Sequence, residues 1–145
     1  GYNGYILDQT RVFSLGKIEG FFQDAYRKAL EIQELVVAKA IPGMSTGELY
    51  ALALDKVKAM GLEDNFMGYV PDQASFIAHG IGVELDELPV IAKGAKTLLE
   101  PGMVFALEPK FIFPGKGVVG VENTFVVRDK GVEKITKSSE EIVEV

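Results

Sequence analysis

Apolar side chains at Phe22, Ala25, Ala29, Ile32 and Val36 recur at steps of three and four residues. That spacing lines them along one face of an α-helix, so a helix is expected over residues 18–40, stopped by Pro42-Gly43. Ser45-Thr46-Gly47-Glu48 reads as a capping box, in which the hydroxyl and the carboxylate satisfy opposite orphan amides. Leu49, Leu52 and Val57 carry a second helix on from it, and Gly61 serves as its C-terminal stop. The remaining pattern is that of strands. Tyr5 to Leu15 is aromatic and β-branched around a polar centre, Asp8-Gln9-Thr10-Arg11, and ends at Gly16, so it is expected to be one arm of a hairpin whose partner precedes residue 1. Phe76-Ile77-Ala78 runs into His79-Gly80-Ile81-Gly82, a short strand opening into a glycine-rich turn. Met103 to Phe113 and Val118 to Val127 read as two long strands joined through a four-residue loop, Pro114 to Gly117. Arg128 to Gly131 is the next turn and Glu133 to Thr136 a last short strand. Helices followed by several strands imply an α+β arrangement, with the helices on one face of a mainly antiparallel sheet.

Composition narrows the function classes. With 145 residues and 48% hydrophobic content, one domain can bury a core unaided. A net charge of −6 with 15 scattered Lys and Arg argues against binding a phosphate backbone, so no nucleic-acid partner is expected. No run of about 18 apolar residues is present, so no membrane association is expected either. There is no cysteine, which removes disulfides and thiolate chemistry and fits a cytoplasmic setting. Metal or acid–base work would fall to carboxylates and the single histidine.

Four ionisable residues stand inside apolar or glycine-bounded strands, where an unpaired charge is costly: Asp8, His79, Glu108 and Glu122. A turn at 114–117 brings Glu108 and Glu122 within about one position of facing each other, at about 4.5 to 5.5 Å. Two carboxylates that close need a shared proton or a cation between them. With Asp8 and His79 added, the set suits a divalent ion such as Mn, Co, Fe or Zn. Each residue also has an ordinary alternative. Asp8 could serve a turn, His79 could be a satisfied core histidine, Glu108 could pair with Lys110 on the same strand face, and Glu122 could face solvent on an edge strand.

The words Tyr5-Ile6-Leu7-Asp8-Gln9-Thr10-Arg11, His79-Gly80-Ile81-Gly82, Leu107-Glu108-Pro109-Lys110 and Val121-Glu122-Asn123-Thr124, in that order, resemble the pita-bread metallopeptidases, above all their Xaa-Pro dipeptidase and aminopeptidase branch. The resemblance implies a pita-bread fold, of which residues 1–145 are the C-terminal part of a single catalytic domain whose N-terminal portion is missing. It implies two divalent metal ions held by five ligands. Asp8 and Glu122 resemble the bridging pair, and His79 and Glu108 resemble ligands of one ion. The family's first aspartate falls eleven positions before Asp8, ahead of residue 1, so at most one well-held ion is expected here.

A second departure is at Asp86. The family usually has histidine there, in a His-Glu-x-Pro word that contacts the substrate carbonyl, whereas this chain has Asp86-Glu87-Leu88-Pro89. An anion cannot stabilise an oxyanion, so Asp86 would be protonated near the metal, bind the substrate's amino end, mark a lost activity, or simply sit at the surface. The implied reaction is hydrolysis of a short peptide or Xaa-Pro dipeptide by a metal-activated water, with Glu108 moving the proton and Arg11 a structural partner. A methionine aminopeptidase, a metal-free creatinase-like hydrolase and a catalytically silent partner-binding protein are the alternatives. The open face left by a missing first half favours a homodimer.

Overall fold

The computed structural model describes all residues 1–145. In chain order the elements are β1 (Phe13–Ser14), α1 (Gly20–Lys39), α2 (Thr46–Ala59), a 3-10 turn (Glu63–Asn65), β2 (Gly68–Tyr69), β3 (Asp72–Gln73), β4 (Phe76–Gly80) and β5 (Glu87–Ala92). They continue with β6 (Val104–Leu107), β7 (Lys110–Phe113), β8 (Gly117–Gly120), β9 (Asn123–Arg128), β10 (Gly131–Lys134) and β11 (Val143–Glu144).

Both helices lie where the apolar spacing puts them. Ala25, Ala29, Ile32 and Val36 of α1 are buried against the β7–β8 ribbon and β10, while Leu49, Ala53 and Val57 of α2 are buried toward α1 and β5. At the start of α2 the Ser45 amide donates to Glu48 Oε2 at 3.4 Å, and the Ser45 hydroxyl donates to the Ala95 carbonyl at 3.3 Å, tying the cap to the loop after β5. Gly61 takes a φ of +66°, the left-handed conformation that ends a helix.

The main sheet has five antiparallel strands in the order β10-β9-β6-β4-β5. Phe105, Leu107, Ile77, Ile91, Phe125 and Val127 point from it into one core with the helices. No helix is long and apolar enough to cross a membrane.

Three strand expectations need correction. Tyr5 to Leu15 is not one strand. Only Phe13–Ser14 forms one, parallel to Val143–Glu144 of β11, and Thr10 makes an isolated bridge to Glu122. The two long strands are four, because the 103–113 run breaks at Glu108-Pro109 and the 118–127 run at Val121-Glu122. Beyond the breaks, β7 and β8 leave the main sheet as a separate two-stranded ribbon. The loop is also one residue tighter than expected, since Phe113 pairs with Gly117 and leaves Pro114 to Lys116 as the turn. Apolar patterning concealed both breaks, for strongly apolar stretches flank Glu108-Pro109-Lys110 and Glu122-Asn123-Thr124 on either side.

The register is the same on both sides of the breaks, with Leu107 opposite Asn123 and Lys110 opposite Gly120. Glu108 and Glu122 therefore fall directly across from one another, at the point where the hairpin bends out of the sheet.

Candidate metal centre

Glu122 is the deepest acid of the group. It is 7% exposed, on the chain between β8 and β9, with Val121 and Asn123 buried on either side. One of its carboxylate oxygens, Oε2, accepts a 2.7 Å hydrogen bond from the Thr10 hydroxyl. Burial pushes its carboxyl above the ordinary range, and the nearby charges of Asp8 and Glu108 push it further, against a smaller pull from the Thr10 hydroxyl and Lys110. The site thus carries more negative charge than its own donors satisfy.

Asp8 reaches the same point from a segment without regular structure. Thr124 on β9 holds that segment twice: its hydroxyl oxygen accepts from the Asp8 amide at 3.1 Å and its hydroxyl donates to the Asp8 carbonyl at 2.8 Å. Arg11 fastens the next turn of chain. Its guanidinium donates to the carbonyls of Thr10 and Glu122, both at 2.8 Å, to Asn123 Oδ1 at 2.7 Å, and to the carbonyls of Ser138 and Ser139. Five acceptors leave this arginine no spare donor for a reacting group. Its role is to lock the Asp8 segment onto the Glu122 strand.

His79 is 8% exposed on the interior strand β4, opposite Ala106 of β6. Its Nδ1 lies 3.0 Å from the Gly80 carbonyl oxygen. A carbonyl only accepts, so Nδ1 donates this bond and Nε2 is the ring nitrogen left for a ligand role. Gly80 has no room for a side chain, because a Cβ there would collide with the Leu88 carbonyl of β5.

One ligand atom each from Asp8, His79 and Glu122 lie within 4.8 Å of one another. Two carboxylates and an imidazole at that spacing, with the deepest acid short of counter-charge, fit a divalent cation. Glu108 is beside this trio but outside it. Its Oε2 is held by Lys110 Nζ, so the same-face pairing expected as the ordinary alternative is present. The solvent-facing edge-strand alternative for Glu122 does not hold, since the residue is buried.

Asp86 stands apart. Its side chain is 76% exposed and its Oδ1 lies 3.4 Å from His79 Nδ1, at the ring edge that faces the Gly80 carbonyl.

The profile of metallopeptidase family M24 matches residues 1–129. The chain belongs to this family.

Its M24 relatives include the Xaa-Pro dipeptidase of Pyrococcus furiosus, 32% identical over 98% of this chain and 39% of that protein. The solved X-Pro aminopeptidase of Thermotoga maritima superposes with a TM-score of 0.90 at 28% identity, covering 99% of this chain and 39% of that one. The Xaa-Pro dipeptidase of Bacillus anthracis gives 0.88 at 33% identity, with 99% and 39% covered. The fold is therefore the α+β pita-bread fold. The chain spans about two fifths of the length of these M24 relatives.

Two residues of this M24 site were not singled out from sequence. Thr10 and Thr124 hold Glu122 and Asp8 by side-chain hydrogen bonds across 112 and 116 positions of chain. Each stands two residues along from a candidate ligand. That spacing is the only signal the sequence carries.

Proposed function

We propose that the protein acts in metal-dependent hydrolysis of short peptides, with Xaa-Pro dipeptides as the substrate class, and that residues 1–145 form the C-terminal part of a single pita-bread catalytic domain. The observation that carries this reading is the convergence of Asp8, His79 and Glu122 on one point, inside a fold shared with Xaa-Pro peptidases. Asp8, His79, Glu108 and Glu122 are the proposed ligands of Mn, Co, Zn or Fe. One ion is held well by these four, and a second requires a further carboxylate.

A bound divalent ion supplies the positive charge that acidifies water and polarises a peptide carbonyl. The chain's own residues do the rest. Glu108 accepts the proton from the attacking water and returns it to the leaving amine, a task that suits a carboxylate lining the cavity beside the ligands. Arg11, Thr10 and Thr124 hold Asp8 and Glu122 fixed while charge moves. Asp86, exposed beside His79, takes the free amino end of a peptide in this reading. The same reading makes the protein cytoplasmic and homodimeric, the latter supported by exposed Tyr2, Tyr5, Phe13, Leu15, Leu88 and Val118.

The whole protein, loaded with Mn(II) or Co(II), is expected to turn over Xaa-Pro dipeptides. Metal uptake without turnover on any of them would instead favour a catalytically silent protein that binds a partner in this cleft. Turnover confined to peptides with N-terminal methionine would favour the methionine aminopeptidase alternative.

A further inference from the structure

Lys110 is a cation built into an anionic site. It begins β7 directly after Glu108-Pro109, and its Nζ rests on Glu108 Oε2. Its side chain is 37% exposed and that of Glu108 is 14% exposed, so the pair sits half out of water, where charge–charge contacts keep much of their strength. The partner strand makes space for it. Gly120 is opposite Lys110 in the ribbon, and a Cβ on Gly120 would come 2.5 Å from Lys110 Cβ and 2.7 Å from the Pro109 carbonyl oxygen. Only glycine fits there, and the room left over belongs to the lysine.

A cavity of about 270 Å³ adjoins the pair, lined in part by Thr10, Arg11, Glu108, Lys110, Val119 and Glu122. The ammonium can withdraw from Glu108 into this space without leaving the site. Glu108 is also the one proposed ligand outside the trio of converging ligand atoms, and it is the one held by a lysine.

From this geometry we infer that Lys110 is an internal competitor of the metal ion: it occupies Glu108 in the metal-free protein, and metal binding must displace it. The inference rests on the metal reading given above. Two consequences separate it from a plain structural role. The metal-free protein depends on the Lys110–Glu108 pair for stability, whereas the loaded protein does not. Removal of the ammonium strengthens metal binding, because Glu108 is released and a like charge leaves the neighbourhood of the ion.

The test is calorimetric titration of Mn(II) into the metal-free protein and into Lys110→Met and Lys110→Arg. Lys110→Met is expected to bind Mn(II) about five- to tenfold tighter, the amount an ion pair of about 1 kcal/mol withholds. Its metal-free Tm is expected to fall by about 2–4 °C, with the loaded Tm unchanged or higher. Lys110→Arg keeps the charge and is expected to bind within about twofold of the parent. Unchanged or weaker Mn(II) binding by a folded Lys110→Met, in a protein whose parent binds the ion, overturns this inference and leaves the metal reading standing. A parent that takes up neither Mn(II) nor Co(II) overturns the metal reading and the competition together.

Discussion

A buried carboxylate without enough counter-charge leaves a thermodynamic signature, and Glu122 is the residue that carries it here. Its folded-state pKa is raised by burial and by Asp8 and Glu108. A raised acid stabilises the fold below its unfolded value, and that contribution is lost as pH climbs through the folded value. The metal-free protein is therefore expected to lose stability as pH rises above about 4.5, the ordinary glutamate range, and Glu122→Gln is expected to lessen the loss. The same substitution should cut metal stoichiometry strongly, measured by elemental analysis after dialysis. A variant that binds the ion as before would remove Glu122 from the site. Glu140 has the opposite sign. Burial works to raise its carboxyl, but hydrogen bonds and charge from Lys134, together with Gln33 and Asn123, outweigh it and hold the pKa low. Its contribution is present above the unfolded value and fades as pH falls through the folded one, so Glu140→Gln should flatten the acid limb of a urea-denaturation series. Asn123 joins these two regions. It is fully buried, donates to Gln33 and Glu140, and accepts from Thr136 and Arg11. Asn123→Ala leaves several buried polar groups unpaired and is expected to cost about 2–4 kcal/mol in urea unfolding.

At the scale of elements, the bend in the hairpin decides where the chemistry sits. Two strands that ran straight would keep Glu108 and Glu122 in a flat sheet. Broken at the same level, they present both acids at a corner, with the sheet on one side and the β7–β8 ribbon on the other. Gly120 keeps the ribbon close enough to form that corner. Gly120→Ala forces Cβ against Lys110 and the Pro109 carbonyl and is expected to cost about 1–3 kcal/mol while weakening metal uptake. Normal metal content and stability would mean that the corner can open without harm. The helices were fully legible in the sequence, because a 3.6-residue apolar repeat and glycine and proline stops are local signals that tertiary packing only reinforces here. The convergence of the acids was legible too, since hairpin arithmetic needs only the turn position. The breaks were not. Proline and glutamate at 108–109 interrupt an apolar run in the same way whether the strand bends there or continues. Nor could the sequence reveal that the Asp8 segment lacks a strand of its own, because Tyr5 to Leu15 has strand composition and whether it pairs depends on what lies alongside it.

Over the whole molecule, the two ends of the chain are sewn together. Gly16 donates its amide to the Val145 carbonyl at 2.7 Å, Val145 donates to Ser14 at 2.9 Å, and Val143 donates to Val12 at 3.1 Å. Arg11 reaches the carbonyls of Ser138 and Ser139 from the other side. Residues 138–145 contain no candidate ligand and lie beyond the stretch matched by the family profile. Even so, a chain ending at residue 137 is expected to bind Mn(II) at least tenfold more weakly in the titration described above. Equal affinity would mean that Thr124, with the bonds Thr10 and Arg11 make to Glu122 and Asn123, suffices to hold Asp8. A polypeptide cut before Ser138 would keep Asp8, His79, Glu108 and Glu122, yet two of the carbonyls that anchor Arg11 would be gone, and the aspartate arm would be tethered at one side only.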